Sequence, residues 1–255
     1  MSTTGQLHAV AAGVGEPVVL VHGFTQTQRS WAPVGQDLAR DHRVLRVDAP
    51  GHGASSALQA NLWDGGRLIG RAGGAASYVG YSMGGRLCLH LALAEPGLVT
   101  SLVLIGATAG IDEPTERSAR RHADEALAQR IEGEGVDVFV TWWVSQPLFA
   151  GLSPDAIGLE ARRENTIAGL ASSLRLAGTG RQDPPLWDRL GELNMPVLIV
   201  TGERDEKFRS LGERLVDSIG SNAAMATVRG AGHSVHLEKP VQFLKVLRAF
   251  LADLT

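Results

Sequence analysis

Short apolar runs recur along the chain, and segments of helical pattern lie between most of them. The runs are rich in Val, Ile and Leu and end at turn-forming residues, as strands buried on both faces of a sheet do. They are EPVVLVHG at 16–23, HRVLRVDAPG at 42–51, ASYVGYS at 76–82, TSLVLIG at 100–106, MPVLIVTGE at 195–203 and AMATVRGAG at 224–232. Strands that alternate with helices predict a mostly parallel, doubly wound α/β sheet. In such a sheet we expect the active site just beyond the carboxyl ends of the strands.

The alternation is interrupted between residues 109 and 187. This stretch has helical patterns but no convincing strand, and it contains two adjacent tryptophans, Trp142 and Trp143. A helical insertion of this length between two strands is typical of a lid over the carboxyl edge of the sheet. We therefore predict a core formed by residues 1–108 and 188–255, with a helical cap at 109–187. The alternative is that these helices simply extend the fold.

Composition and charge exclude several classes of protein. The chain has 255 residues, 44% of them apolar, which suits one domain with a sizeable core. Its net charge of −3 provides no basic field for nucleic acid or an anionic membrane. A single cysteine, Cys88, excludes an internal disulfide. The N-terminal residues lack the pattern of a secretory signal, and the apolar runs are shorter than the roughly 20 residues of a membrane span. We expect a soluble, cytoplasmic protein.

The segment Gly80-Tyr81-Ser82-Met83-Gly84 matches the pattern G-x-S-x-G. An apolar run precedes it and a helical pattern follows it, which is the context that this motif requires. A serine on so tight a turn adopts strained backbone angles, and the flanking glycines remove Cβ atoms that would clash. The hydroxyl then lies at the amino end of a helix, where backbone N–H groups favour developing negative charge. We predict Ser82 as the catalytic serine.

A serine hydroxyl needs a histidine to accept its proton and a carboxylate to orient that histidine. With this motif the carboxylate and the histidine follow the serine in that order along the chain, after later strands. Asp205 follows the run at 195–203, and His233 follows the last run, so we predict these two as the partners of Ser82. His236 is the rival to His233, and we expect it to be a surface or supporting group. Glu203 and Glu206, which flank Asp205, are expected to be solvated loop carboxylates.

An oxyanion hole requires two backbone N–H groups aimed at one oxygen. We expect one from Met83, the residue after the serine, and the other from Phe24, in the loop after the first long apolar run. His22, Asp48 and His52 are interpreted as parts of loop architecture without a direct catalytic role.

Five motifs together resemble the α/β-hydrolase superfamily over nearly the whole chain. They are His22-Gly23, Asp48-Ala-Pro-Gly-His-Gly, Gly80-Tyr-Ser-Met-Gly-Gly, Gly202-Glu-Arg-Asp and Gly230-Ala-Gly-His. The resemblance implies the α/β-hydrolase fold, a mostly parallel doubly wound sheet with a helical lid insertion. It leaves the reaction open, because this fold hosts many chemistries.

Within the superfamily the chain is similar to the 2-succinyl-6-hydroxy-2,4-cyclohexadiene-1-carboxylate synthases of menaquinone biosynthesis, which are lyases that eliminate pyruvate. The segments that carry this similarity span the core and the lid. They are His22-Gly-Phe-Thr-Gln, Gly80-Tyr-Ser-Met-Gly-Gly-Arg, Glu116-Arg-Ser-Ala-Arg, Trp143 with Gln146-Pro147-Leu-Phe149, Arg163-Glu-Asn165 and Gly202-Glu-Arg-Asp-Glu-Lys-Phe208. The similarity implies a reaction that needs no metal or organic cofactor, in which Ser82 acts as a base towards a ring proton.

The implied substrate is a small molecule with several carboxylates, which guanidinium groups bind in a planar, two-pronged way. The similarity places Arg86, Arg120 and Arg163 as its anchors, with Trp143 as an aromatic wall and Tyr81 beside the serine among the substrate-binding residues. Other lid arginines adjoin these positions, so the alignment is open by one residue.

Two other functions fit the same residues. A serine hydrolase, either an esterase or a carbon–carbon bond hydrolase of an acidic substrate, would use the same triad with a water step; a haloperoxidase-like reaction is expected as a side activity at most. A non-enzymatic binding protein on this fold is the remaining alternative, although such proteins usually lack a triad residue. The sequence leaves the oligomeric state open.

Overall fold

Six parallel strands and one antiparallel edge strand form the sheet in the computed structural model, which describes residues 5–254. The strands are β1 Ala9–Ala12, β2 Glu16–Val21, β3 His42–Val47, β4 Ala76–Tyr81, β5 Val99–Ile105, β6 Val197–Gly202 and β7 Ala223–Val228. Their order across the sheet is β1-β3-β2-β4-β5-β6-β7, and only β1 runs antiparallel to its neighbour in the described chain. The predicted doubly wound α/β-hydrolase fold is confirmed.

The sequence patterns identified six of these strands and missed β1. Strand β1 has the sequence AVAA, and two of its four residues are exposed. It lies at the edge of the sheet, where it pairs only with β3. A short edge strand has neither the continuous apolar run of a buried strand nor a strong β propensity, so nothing local distinguishes it from a loop.

Helices cover both faces of the sheet and fill the insertion between β5 and β6. The α-helices are α1 Ala32–Leu38, α2 Leu62–Gly73, α3 Met83–Ala94, α4 Pro114–Glu134, α5 Val136–Val144, α6 Pro154–Ile157, α7 Leu159–Arg163, α8 Ile167–Ala177, α9 Glu206–Ile219, α10 Val235–Glu238 and α11 Pro240–Ala252. Short 3-10 turns lie at Gln28–Trp31, Gly53–Ser55, Pro96–Leu98, Pro147–Phe149, Thr179–Arg181 and Trp187–Glu192. None of the helices within residues 5–254 has the length and apolar character needed to span a bilayer.

Two apolar layers hold the sheet between its helices. On one face, residues of α2, α3 and α9 such as Leu68, Leu89 and Leu215 pack on the central strands. On the other face, α1 and α11 contribute residues such as Leu38 and Phe243. Both faces of β4 and β6 are therefore buried along their whole length, and β4 lies between β2 and β5 in the middle of the sheet. This places the carboxyl end of β4, with Ser82, at the centre of one edge.

The helices α4 to α8 have a small apolar core of their own. It contains residues such as Ile131 and Phe139, packed against Leu170 and Leu174 of α8. Phe24, from the loop after β2, also packs against this cluster. The insertion is thus a separate layer that contacts the sheet through the loops at its carboxyl edge. Its division from the core at residues 109–187 stays a prediction.

Candidate active site

Ser82 lies on a strained turn between β4 and α3. Its backbone has φ 51° and ψ −108°, a left-handed value that non-glycine residues rarely adopt. The turn packs so closely on its neighbours that a Cβ at Gly84 would lie 2.3 Å from the carbonyl oxygen of Val21. Glycine is therefore required two residues after the serine, as the G-x-S-x-G motif predicts. The strain directs the serine out of the sheet edge at the amino end of α3.

The structure brings the three predicted triad residues together. His233 Nδ1 lies 2.7 Å from Asp205 Oδ2, and His233 Nε2 lies 3.4 Å from Ser82 Oγ. An imidazole that donates from Nδ1 to a carboxylate has Nε2 free to accept the serine proton. Asp205 follows β6 and also caps α9, because its Oδ1 accepts the N–H of Phe208 at 3.3 Å. The geometry is that of a nucleophile or base activated by a buried, oriented histidine.

The loop that carries His233 is held by Glu238, which the sequence motifs do not single out. The Glu238 carboxylate accepts the N–H of Gly232 at 2.7 Å and the N–H of Ser234 at 3.0 Å, the residues on either side of the histidine. The His233 ring also packs against the rings of Phe208 and Tyr81, at centroid distances of 4.5 and 5.3 Å. These contacts leave the imidazole little freedom to rotate.

His236 was predicted as a surface or supporting group, and its burial excludes the surface role. Its ring stacks on Trp31 at 4.2 Å and lies 4.6 Å from the ring of Tyr81. Neither ring nitrogen has a hydrogen-bond partner among the residues described. Burial, together with the positive charge of Arg162, lowers the pKa of His236 to about 3. His236 is therefore a neutral packing residue beneath the site.

The two predicted oxyanion donors are both available. Neither the Phe24 N–H nor the Met83 N–H donates to an acceptor within residues 5–254. Phe24 occupies a turn closed by the Gln26 N–H, which donates to Gly23 O at 3.2 Å. Phe24 and Met83 both line the cavity that contains Ser82.

Two buried histidines maintain the loops around this turn. His22 lies 2.8 Å from Gly23 O through Nδ1 and accepts the Ala49 N–H at 3.0 Å through Nε2. His52 accepts the Thr25 N–H at 3.3 Å. Burial lowers the pKa of His22 to about 4 and that of His52 to about 3, so both are neutral at pH 7. They act as fixed hydrogen-bonding groups, in agreement with their interpretation as loop architecture.

A cavity of about 360 Å³ opens over Ser82 and His233. The core contributes Phe24 and Lys207 to its wall, and the insertion contributes Trp143 and other groups. Lys207 belongs to the Gly202–Phe208 motif but was not assigned a role from the sequence. The motif was the signal that could have identified it. The sheet core and the helical insertion thus meet at this cavity.

Arg86 lies in the wall of the cavity, one turn of α3 beyond Ser82, and is only 7% exposed. Its guanidinium donates to the carbonyl oxygen of Ala177 at 2.5 Å, and no carboxylate of the described chain forms an ion pair with it. Burial, reinforced by the charge of Arg120 and partly opposed by that of Asp124, lowers the pKa of Arg86 to about 10, so the group is cationic at pH 7. Arg86 is therefore a buried cation without an ion-pair partner in the described chain, beside an open cavity.

Arg120 and Trp143 reach the same cavity from the insertion. Arg120 Nε donates to Asp124 Oδ1 at 2.8 Å, and its side chain is 40% exposed, so its remaining donors can face a ligand. The Trp143 ring packs edge-on against Phe24 at 5.4 Å. Its Nε1–H is buried without a partner among the residues described, which adds an unused donor to the site.

The structure does not bring Arg163 to the cavity. Its guanidinium lies on the outer surface, where it forms ion pairs with Asp137 and Glu160. These carboxylates raise its pKa further. Its neighbour Arg162 is buried instead and donates from Nε to the carbonyl oxygen of Ile157 at 2.8 Å. Successive side chains on a helix point about 100° apart. Because the sequence similarity could not distinguish Arg163 from its neighbour, it did not decide which arginine faces inward.

Tyr81 also lies outside the cavity wall. It is 3% exposed, and its hydroxyl is 2.7 Å from Ser234 Oγ, behind the catalytic histidine. Burial raises the pKa of its phenol. Tyr81 therefore supports the His233 loop, in contrast to the substrate contact predicted for it.

The fold and this serine–histidine–aspartate site define the class of protein: the chain belongs to the alpha/beta hydrolase family, whose model matches residues 18–246. Its particular relatives are more informative about chemistry. It is 34% identical over 267 residues, covering 98% of this chain and 96% of the relative, to a putative 2-succinyl-6-hydroxy-2,4-cyclohexadiene-1-carboxylate synthase of Bacillus subtilis.

Two further matches agree with this one. The synthase of the same name from Escherichia coli O1:K1 is 32% identical over 260 residues, which cover 96% of this chain and 98% of that protein. The solved structure of MenH from S. aureus is similar with a TM-score of 0.89 and 29% identity, covering 98% of each chain. The family similarity inferred from the sequence motifs is confirmed.

Proposed function

We propose that this protein is a lyase that converts 2-succinyl-5-enolpyruvyl-6-hydroxy-3-cyclohexene-1-carboxylate to 2-succinyl-6-hydroxy-2,4-cyclohexadiene-1-carboxylate with release of pyruvate, in menaquinone biosynthesis. The names of its relatives support this reaction. The observation that carries it is Arg86, a buried cation with no carboxylate partner in the described chain, in the cavity that holds Ser82. A polycarboxylate substrate supplies the missing anion.

In the proposed mechanism, His233 accepts the Ser82 proton at Nε2 while Asp205 stabilises the resulting imidazolium. The serine oxygen then removes the ring proton next to the succinyl ketone. The electrons of that C–H bond shift towards the ring double bond, which moves and expels the enolpyruvyl oxygen. His233 returns a proton to the leaving group, which becomes pyruvate. The atoms balance without water, a metal or an organic cofactor.

The negative charge that develops on the succinyl ketone oxygen needs donors fixed in advance. The backbone N–H groups of Phe24 and Met83, which have no acceptor within the described residues, are proposed to supply them. Arg86 and Arg120 hold carboxylates so that the reacting carbon lies at Ser82. The helical insertion at 109–187 acts in this proposal as the lid that carries Arg120 and Trp143. We exclude Arg163 from the proposed anchors because of its surface ion pairs.

Ser82 is the base in the proposed reaction. Incubation of the purified protein with the enolpyruvyl substrate should release pyruvate and produce the absorbance of the conjugated diene. Ser82→Ala should reduce kcat by at least about 10³-fold, because the base is lost while the binding groups remain. Coupled lactate dehydrogenase and the diene absorbance measure the two products independently.

Two outcomes would contradict the proposal. Pyruvate release by Ser82→Ala at the wild-type rate would exclude the serine as the base. Turnover of p-nitrophenyl esters with no pyruvate from the enolpyruvyl substrate would identify a serine hydrolase that uses the same triad.

A further inference from the structure

Thr25 adopts a backbone conformation that threonine disfavours. It follows Phe24 in the turn between Gly23 and Gln26, and its φ is +66°. Positive φ at this position of a turn normally requires glycine, and β-branched residues adopt it least readily. Ser82 is the other non-glycine residue with positive φ in the described chain. Each strained residue therefore adjoins one of the two proposed oxyanion donors: Thr25 follows Phe24, and Ser82 precedes Met83.

Three contacts hold the Thr25 backbone and side chain in place. Asn165 donates from Nδ2 to the carbonyl oxygen of Thr25 at 2.7 Å. The Thr25 N–H donates to His52 Nε2 at 3.3 Å, and Arg162 donates to the Thr25 hydroxyl. Asn165 and Arg162 both come from the helical insertion, so the insertion clamps a turn that belongs to the core.

Asn165 uses its whole side-chain amide in this clamp. Its second Nδ2 proton is donated to the carbonyl oxygen of Arg162 at 2.9 Å, and its Oδ1 accepts the Gly53 N–H at 2.9 Å. The residue is buried and lies just after α7. It therefore joins three segments: the turn at Thr25, the loop at Gly53 and the end of α7. Few other side chains have both a double donor and an acceptor in this geometry.

We propose that Asn165 is a positioning residue, which fixes the strained Thr25 peptide and thereby keeps the adjacent Phe24 N–H in the oxyanion hole. This inference rests on the proposed function, in which the Phe24 N–H stabilises the charge that forms during proton removal. Charge on the ketone oxygen develops in the transition state and is small in the bound substrate. Loss of the clamp therefore lowers kcat and leaves KM nearly unchanged.

Asn165→Asp tests the clamp, because aspartate has the same size and keeps an acceptor for the Gly53 N–H, while it removes the donors to Thr25 O and Arg162 O. We expect kcat to fall at least about tenfold and KM to stay within about twofold, compared with 10²–10³-fold for complete loss of an oxyanion donor. Asn194→Asp is the matched control, since Asn194 is exposed and donates to Glu192 O at 3.0 Å. Wild-type kcat in Asn165→Asp, or equal losses in both variants, would overturn the proposal.

A second substitution separates positioning from general support of the fold. Glycine adopts positive φ without strain, so in a Thr25→Gly background the turn no longer depends on the clamp. Asn165→Asp should then lower kcat by less than about threefold relative to Thr25→Gly alone. An equal loss in both backgrounds would show that Asn165 acts elsewhere.

A substrate-independent measurement distinguishes failure of this inference from failure of the proposed function. Phosphonylation of Ser82 by a fluorophosphonate develops negative charge on the phosphoryl oxygen, which occupies the same oxyanion position. The rate should fall at least about tenfold in Asn165→Asp. If the wild type releases no pyruvate but the variant is phosphonylated slowly, the lyase function is rejected and the positioning role of Asn165 is supported. Equal phosphonylation rates of the variant and the wild type would reject the role of Asn165.

Discussion

The guanidinium of Arg86 is the feature on which the proposed class of substrate depends. It follows two glycines on a helix that is buried almost throughout, and it hydrogen-bonds to Ala177 O without an ion-pair partner in the described chain. A buried cation without an ion-pair partner opposes folding. In the proposed function, a carboxylate of the substrate supplies the partner that Arg86 lacks.

The prediction for this residue is that Arg86→Ala lowers kcat/KM about 10- to 100-fold, the range for a lost charged hydrogen bond. The melting temperature should change little, because removal of a buried charge offsets the loss of the hydrogen bond to Ala177 O. Steady-state kinetics and thermal denaturation measure the two effects. Arg163→Ala is the control, because its ion pairs lie on the surface, and it should change kcat/KM less than twofold. Wild-type kinetics in Arg86→Ala would leave the arginine without a function.

At the scale of elements, a short helix holds the loop of the proposed catalytic histidine in place. The four-residue helix α10 ends at Glu238, whose carboxylate reaches back to the backbone on both sides of His233. Gly151 of the insertion packs against the same carboxylate: a Cβ added at this glycine would lie only 2.0 Å from Glu238 Oε2. The position of the histidine loop is therefore linked to the packing of the insertion.

Glu238→Gln should reduce kcat about tenfold with little change in KM, since an amide presents one acceptor oxygen to the two N–H groups that the carboxylate holds. Glu203→Gln is the matched control: Glu203 accepts the Gly230 N–H at 2.8 Å, away from the histidine. We expect it to change kcat less than twofold. Equal effects of the two substitutions on kcat would mean that Glu238 has no particular influence on His233.

Sequence patterns predict these elements to different degrees. The central strands and the helix after Ser82 follow from local apolar runs and glycine placement, so the sequence is sufficient to identify them. Strand β1 was missed because its four residues carry no distinguishing pattern. Glu238 was missed because its partners are backbone N–H groups, which every residue except proline has.

At the scale of the whole molecule, four of the five buried histidines within residues 5–254 are kept neutral by burial. Burial lowers the pKa values to about 4 for His22 and His90 and to about 3 for His52 and His236, from 6.5. Below pH 6.5 the unfolded chain binds protons that the folded chain does not. Their contribution to stability is therefore complete above pH 6.5 and is lost progressively as the pH falls towards 3.

His236→Phe should reduce this pH dependence by about one proton, or about 1.4 kcal/mol per pH unit, between pH 6 and pH 4. Phenylalanine retains the stacking on Trp31, and neither nitrogen of His236 has a partner in the described chain. Chemical denaturation at several pH values measures the free energy of unfolding. His122→Gln is the control on an exposed helix. An unchanged pH slope in His236→Phe would contradict the prediction.

The sequence by itself predicted six of the seven described strands, the turn that carries Ser82, and Asp205 and His233 as its partners, because each depends on local pattern and on chain order. Tertiary structure alone decided that Arg162 is buried while Arg163 is exposed, and that Tyr81 supports the histidine loop. It also decided that Asn165 clamps Thr25, 140 positions away along the chain. The physical reason is that side-chain orientation and long-range hydrogen bonds depend on how complete layers pack, which no local pattern encodes.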